Sequence, residues 1–457
     1  MSQPFFAPLA LLSNGWATNV TMEVEQGVFT RVQPNSQQPK NAVTLNGPVL
    51  PTVANLHSHA FQRVMAGVAE IASNPQDSFW SWRETMYRIV SSLTTEDLEI
   101  IASKLYIELL KGGYSQVGEF HYVHHQPDGK PYQQVTQLGE NLIRAADKTG
   151  IGITLLPALY QYSGFGKQPS SEGQRRFIQS TEAYIEQHQQ YRERLNDQPK
   201  HQLGICFHSL RATSFHAINT VLSQLHQNQP IHIHIAEQQK EVDDCIQWSG
   251  KRPVELLLEQ CSVDQHWTLI HATHLNLQET TGLANSGAAV GICTTTEANL
   301  GDGIFPATEF EQAGGIWGVG SDSHVSTSLQ EELRWFEYGQ RLQQQKRNRL
   351  YGKNEPRVGN HLFHMALQGG NRACGVQLGL EVGNRADFMV WNDQLPFVRY
   401  SQPEDLINRW LFGLSESPIH DVYVAGEQFI RRSQHVMETE IDLLFGNLLQ
   451  RIFAKNC

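Results

Sequence analysis

Cysteine is scarce in this chain. There are six in 457 residues (Cys206, Cys245, Cys261, Cys293, Cys374 and Cys457), and no two form a C-x-x-C pair. A secreted disulfide scaffold is denser and a zinc ribbon is paired, so both are excluded and a reducing cytoplasm is the expected compartment. Long apolar runs are also missing, since nothing approaches the roughly 18 consecutive apolar residues of a membrane helix. The opening MSQPFFAPLALLSNGWA has no basic residue before Arg31, and Pro8 interrupts its short apolar stretch, so it does not read as a signal peptide. Positive charge is in deficit: 35 Lys and Arg stand against 46 Asp and Glu, a formal charge of −11. That balance excludes a sequence-independent nucleic-acid binder, which needs cations to neutralise phosphates. Charged residues make up only 18% and hydrophobic ones 40%, which excludes a disordered scaffold. Finally, no G-x-G-x-x-G follows the first strand-like run, which weakens the case for a doubly wound dinucleotide-binding sheet.

What is present is alternation. After residue 48, eight short apolar runs recur between helix-length segments: PVLPTVANL, SQVGEF, IGITLLPAL, QLGICFHSL, IHIHIA, WTLIHA, AAVGICTT and IWGVGSD. The intervening segments include Thr95–Lys111, which opens on a capping-box pattern (Thr95-Glu96-Asp97-Leu98), and Ser328–Gln344. Eight strand–helix alternations over about 320 residues predict an α/β (β/α)8 TIM-like barrel. The flanks differ. Residues 1–48 and 376–457 carry short alternating stretches with Gly and Asn turns (NVTMEVEQGVFTRV; HDVYVAGEQFIRR), which predict antiparallel strands. The expected organisation is a catalytic barrel over 49–375 and one small β-sandwich built from both chain ends, with a terminal helix. The Gln-rich stretch Gln340–Arg349 reads as a solvated helix end.

In a barrel, reactive side chains sit at the C-terminal ends of the strands, so the ends of the runs carry the functional signal. The first ends Leu56-His57-Ser58-His59. Residues two apart on a strand share a face, so His57 and His59 can chelate one ion. The fifth contains His232, His234 and, just beyond, Glu237. The sixth ends at His271, with His274 three residues on, and the eighth ends at Asp322. One histidine at a strand end ordinarily reads as a hydrogen-bonded packing residue, and His216, His226, His266 and His361 are read that way. A set of metal-compatible groups on four separate strand ends reads as a metal site. His232 shares a face with His234 one layer deeper and reads as packing behind the site.

With these ends the sequence resembles the amidohydrolase superfamily. Strand 4, Gln202–Leu210, has no lysine for a carboxylated bridge between two metals, so the resemblance is to the mononuclear deaminases. It implies one divalent metal per chain held by His57, His59, His234 and Asp322, and a proton shuttle at Glu237 from the H-x-x-E pattern. Three imidazoles and a carboxylate suit Zn²⁺, with iron and manganese left open by ligand type. The chemistry agrees. Zn²⁺ can lower the pKa of a bound water to about 7, Asp322 can accept that water's proton, and Glu237 can pass a proton to a leaving nitrogen. His271 can polarise the attacked centre or orient the nucleophile.

Around these ends lie Gln62, the aromatic stretch DSFWSWRETMYR with Arg83, Tyr122 in FHYVHH, and His208 with Arg211 in HSLRA. An arginine ordinarily reads as half of a surface ion pair. Two of them near the strand ends of an acidic chain read instead as a carboxylate clamp. LHSHAFQR, DSFWSWRETMYR, EFHYVHH, HSLRA, HIHIAEQ, IHATH and GSDSHVSTS together resemble the formimidoylglutamate deiminases along essentially the whole chain. That resemblance implies hydrolysis of N-formimino-L-glutamate to N-formyl-L-glutamate and ammonia in histidine degradation. Carried over by position, the substrate contacts fall on Gln62, Arg83, Tyr122, His208 and Arg211, and the catalytic pair on Glu237 and His271. A small-molecule substrate is the implied partner, with no nucleic acid and no membrane; a homodimer is the assembly allowed for. Two alternatives stay open: another mononuclear deaminase acting on a purine or pyrimidine, and a metal-binding barrel without activity, which would not need Glu237 and His271 beside four ligands.

Overall fold

The structure, a computed structural model, describes residues 3–71, 79–225 and 228–454; His226, Cys457 and the Asp77-Ser78 start of the aromatic stretch lie outside them. Eight parallel strands form the barrel: β1 Val53–Ser58, β2 Tyr114–His121, β3 Gly152–Leu159, β4 Ile205–Ser209, β5 Ile231–Ile235, β6 Trp267–His271, β7 Ala289–Ile292 and β8 Ile316–Val319. They are hydrogen-bonded in sequence order. All eight residues of β2 and all eight of β3 are buried, the expected state of parallel strands covered on both faces. The covering helices are amphipathic. Gln137–Thr149 buries Leu138, Leu142, Ile143 and Ala146 while Arg144 and Lys148 face solvent, and it ends at Gly150 in the left-handed conformation, φ +82°.

The barrel closes where β8 meets β1. Asp322 N donates to His57 O (3.0 Å), and His59 N donates to Asp322 O (3.2 Å). Gly320 permits that approach, because a Cβ there would sit 2.7 Å from His57 Cβ. Helix Val358–Cys374 lies over this seam, with Gly369 and Gly370 against the backbone of Trp317, Gly318 and Ala54.

The two chain ends make one nine-stranded sheet. Its N-terminal strands include Gln3–Leu12, Gly15–Glu25, Val28–Gln33 and Pro48–Pro51; its C-terminal strands include Phe388–Trp391, Ile419–Val424 and Glu427–Arg431. Pro48–Pro51 pairs antiparallel with Phe388–Trp391 and so joins the halves. The sheet folds back on itself into a sandwich. Phe29 N donates to Asn384 O (2.9 Å), Ala386 N to Gly27 O (2.8 Å), and Gly426 N to Ala386 O (2.8 Å), around a core of Phe5, Met22, Phe29, Phe388 and Tyr423. The expected barrel and chain-end β-domain are therefore both present. The run PVLPTVANL divides between them: Pro48–Pro51 belongs to the folded sheet and Val53–Ser58 to the barrel. The terminal helix Glu438–Phe453 returns to the barrel, where Lys104 Nζ donates to Asp442 (2.6 Å) on helix Thr95–Lys111.

Two local expectations shift. The capping box of Thr95–Lys111 starts one residue earlier: Thr94 Oγ1 accepts from Asp97 N (3.2 Å) and Asp97 Oδ2 accepts from Thr94 N (2.9 Å). The reciprocal bond needs an acceptor at the third helical position, and Asp97 holds that place relative to Thr94, not Thr95. The Gln-rich stretch is not solvated from its start. Gln340 is buried and donates to Phe305 O (2.8 Å), and Gln344 donates to Thr308 Oγ1 (2.8 Å). Exposed residues are at 342–343 and, without a break, at 345–348.

His232 sits in the barrel interior, and its Nε2 donates to Ala373 O (2.7 Å) at the end of the seam helix. Burial lowers its pKa to about 4. The folded value thus lies below the unfolded one of about 6.5, so stability is fully present above pH 6.5 and declines as pH falls toward 4. At about 1.4 kcal/mol per unit, going from pH 7 to pH 5 should cost the fold about 2 kcal/mol through this residue. In His232→Gln that pH-dependent loss should shrink by the same amount, whatever the variant's absolute stability. Denaturant unfolding at the two pH values measures it; an unchanged difference contradicts the assignment.

Candidate active site

The mouth at the C-terminal ends of the strands is a partly open cavity. His59, His234, His271, Glu237 and Asp322 lie on its floor side, with Gln62, Arg83, Tyr122, His208 and Arg211 around them. His57 lies directly beneath, fully buried. Every residue singled out in the sequence for this site therefore lies at one mouth.

Four donor groups converge there. His57 Nε2 lies 3.1 Å from His234 Nε2 and 3.5 Å from Asp322 Oδ1, and His59 Nε2 lies 3.4 Å from the same oxygen. The far ring nitrogens are tied to backbone carbonyls: His59 Nδ1 donates to Phe120 O (2.8 Å) and His234 Nδ1 to His208 O (2.9 Å). With the proton fixed on Nδ1, both rings present an Nε2 lone pair to one point, the arrangement a metal needs from neutral imidazoles. Burial favours the neutral form: it lowers the pKa of His57 to about 3 and also lowers those of His59 and His234. Burial alone would raise Asp322, but the His57 hydrogen bond and the surrounding imidazoles hold its carboxyl well below the usual range. Two buried donor groups overlap at His57, one with His59 and His234 and one with His271 and Asp322, and a set of three imidazoles and the Asp322 carboxylate drawn from them fits a divalent metal. Strand β4 and the loop after it contain no lysine.

Glu237 stands two residues past β5, on a loop. It is 6% exposed, with Oε1 3.9 Å from His271 Nε2 and Oε2 4.0 Å from Arg211 Nη2. Burial raises its carboxyl above the usual range. His271 behaves oppositely. Burial opposes a charge there, but Glu237, Glu297 and Asp322 outweigh it and bring the imidazole up to about 10. The backbone that delivers these groups is held in the left-handed region at Ala236 (φ +50°), His271 (+68°), Ala272 (+48°) and Asp322 (+46°). Such residues cost of order 1–3 kcal/mol each and persist only where neighbours over-determine them. Here Ala272 N donates to Ile235 O (3.0 Å), and the Glu241 carboxylate accepts from the N–H groups of Ala236 and Glu237 (both 3.3 Å).

The polar wall opposite is partly interlocked. Gln62 Nε2 donates to Tyr122 Oη (3.0 Å), and the His208 ring packs 5.4 Å from Tyr122 and 4.2 Å from Tyr160. Arg211 lies 3.8 Å from Glu241, and the Arg83 guanidinium lies 5.5 Å over the Tyr87 ring. Other residues of the quoted motifs turn away. Arg63 makes a forked pair with Glu108 (2.7 and 3.2 Å), His124 donates to Ala158 O (3.0 Å), His125 to Ile178 O (2.7 Å), and His274 to Asp302 O (2.8 Å). His266 pairs with Asp264 and His361 with Glu311, while His216 is exposed.

Several residues went unread in the sequence. The aromatic wall of Trp82, Tyr87, Tyr160 and Phe177 comes from a helix and from the long connection after β3. Glu241 and Glu297 stand behind the reactive groups, and Asp302 is a buried acid whose carboxyl is raised by burial and by Glu237. Glu297 had a signal: the seventh run continues Cys293-Thr294-Thr295-Thr296-Glu297, so an acid also follows that strand.

Residues 49–429 match the amidohydrolase family, and the chain belongs to it. Within that family it is 53% identical over 446 residues to the formimidoylglutamate deiminase of Pseudomonas aeruginosa, covering 97% of this chain and 98% of that protein. Its fold superposes on a crystal structure of an amidohydrolase from Brucella melitensis with a TM-score of 0.94 and 41% identity, over 99% of this chain and 100% of that one. At 17% identity, an adenosine deaminase of Xanthomonas campestris with bound zinc shares the fold with a TM-score of 0.82, over 99% of this chain and 98% of that one.

Proposed function

We propose that this chain hydrolyses N-formimino-L-glutamate to N-formyl-L-glutamate and ammonia, a step of histidine degradation. The observation that carries the reading is one cavity with a metal-type cluster and an acid on its floor and two arginines on its wall. The 53% identity to a deiminase of that name supports it along the whole chain. The substrate is a linear amidine with two carboxylates, and arginine forks match carboxylate geometry.

His57, His59, His234 and Asp322 would hold one divalent ion, with Zn²⁺ the best match to the donors. Bound there, it supplies a hydroxide nucleophile near neutral pH. The chain's own groups do the rest. Asp322, ionised, takes the proton lost by the attacking water. Glu237, whose carboxyl burial raises, holds a proton near neutral pH and delivers it to the terminal nitrogen of the amidine. That proton turns the =NH into NH2 as the water oxygen bonds to the formimino carbon and the C=N π bond opens. The proton held on Asp322 then passes to the same nitrogen, the C–N bond breaks as the carbonyl forms, and the hydroxyl proton returns to Glu237, so ammonia and the formyl product leave with both carboxyl groups reset. His271 faces both carboxylates and orients the attack. Arg83 and Arg211 bind the two substrate carboxylates, while Gln62, Tyr122 and His208 complete the polar wall. The cytoplasm is the compartment proposed: the five described cysteines are free and buried, and no described helix is long and apolar enough to cross a membrane.

Replacing Arg83 by Met should raise KM for formimino-glutamate about tenfold to a hundredfold, since hydrogen bonds to charged groups are worth about 1.5–3 kcal/mol. Arg83→Lys should also be impaired, because an ammonium does not replace a fork. Arg211→Met should lower kcat as well, because Arg211 also neighbours Glu237. A formimino compound lacking one carboxylate should bind wild type weakly and be nearly indifferent to the matching substitution. Steady-state kinetics on both substrates tests this; losses that multiply whatever the substrate would make the arginines structural and remove the carboxylate clamp.

A further inference from the structure

We propose that Glu297 is a positioning residue that locks the His271 ring with its Nε2 aimed into the gap between Glu237 and Asp322. The proposal rests on the reading of His271 as part of the reactive centre. Glu297 lies in the first turn of helix Thr294–Leu300, immediately after β7, and is 3% exposed. Its Oε1 accepts from Cys293 N (2.9 Å), which fixes that oxygen in place, and from His271 Nδ1 (3.2 Å). The opposite ring nitrogen, Nε2, then stands 3.9 Å from Glu237 Oε1 and 3.7 Å from Asp322 Oδ2.

The ring needs such a lock. His271, the last residue of β6, and Ala272 are consecutive non-glycine residues in the left-handed region, so the strand end that delivers this side chain is irregular. One face of the imidazole stacks on His234 (5.7 Å between centres, 12° between planes), which fixes the plane but not which nitrogen faces the cavity. A carboxylate on Nδ1–H settles that choice, as partners of catalytic imidazoles generally do. Removing the lock should act on turnover more than on binding, because misplacing a reacting group by about 1 Å can cost about a hundredfold.

The test compares Glu297→Gln, Glu297→Asp and Glu297→Ala in the metal-loaded protein. Glutamine keeps an acceptor oxygen at the same reach; aspartate keeps the charge but falls one methylene short. Positioning predicts kcat within about tenfold of wild type for Gln and at least about tenfold lower again for Asp and Ala. KM should stay within about threefold, and metal content should be unchanged. A readout independent of turnover is the one-bond ¹H–¹⁵N cross-peak of the His271 Nδ1 proton in ¹⁵N-histidine-labelled protein, assigned by its loss in His271→Asn. It should persist in wild type and Glu297→Gln and vanish in Glu297→Ala. Aspartate matching or exceeding glutamine, a cross-peak indifferent to Glu297, or metal and KM changing together with kcat would each overturn the proposal. Wild type that fails on formimino-glutamate would sink the substrate reading instead, and the cross-peak would still decide the Glu297–His271 bond.

Discussion

Glu237→Gln is expected to keep a full equivalent of metal and lose about 10²–10⁴-fold in kcat, the usual worth of a positioned general acid–base group. The substitution is nearly isosteric, and Glu237 is not among the proposed ligands His57, His59, His234 and Asp322, so metal binding should be untouched. The amide cannot carry a proton to the leaving nitrogen. KM should change little, because Glu237 is not among the groups proposed to hold the substrate carboxylates; Arg211 lies 4.0 Å away and is also held near Glu241 at 3.8 Å. Metal analysis beside steady-state kinetics checks both halves. A variant that turns over at near wild-type rate removes Glu237 from the mechanism.

His57→Ala should abolish both metal binding and activity. His57 is fully buried at the base of the cluster, and its Nε2 lies within 3.5 Å of both His234 and Asp322. Its loss removes one proposed donor and the buried ring that fills the base of the cluster, so the remaining three are no longer held in the arrangement the ion needs. Wild type should bind one divalent ion per chain, since β4 has no lysine that could bridge a second. Elemental analysis finding two equivalents per active chain would contradict the mononuclear site; a His57→Ala protein with full metal would contradict the ligand set.

The fold and most of the site were legible because parallel-barrel strands advertise themselves as apolar runs and expose their chemistry at one end. His57, His59, His234, His271 and Asp322 are all at or within three residues of such an end. The split of PVLPTVANL was not legible, because Pro48–Pro51 and Val53–Ser58 are both fully buried, are separated by Thr52 alone, and are told apart by which sheet receives them. Burial of Gln340 was hidden for the opposite reason: its polar amide is satisfied by the Phe305 carbonyl from a distant loop, a tertiary partner that composition does not show. Tyr87, Tyr160 and Phe177 carry no pattern that separates a pocket wall from an ordinary core. Glu297 is an intermediate case, marked by an acid four residues after Cys293 but given meaning only by the His271 ring that folding brings to it.

Ammonia release from N-formimino-L-glutamate by the purified protein, measured with and without a chelator and with the metal restored afterwards, tests the proposed reaction most directly. One ammonia and one N-formyl-L-glutamate per substrate consumed, lost on chelation and recovered with Zn²⁺, is the predicted result. No ammonia from the metal-loaded protein, or release that chelation leaves untouched, would contradict it.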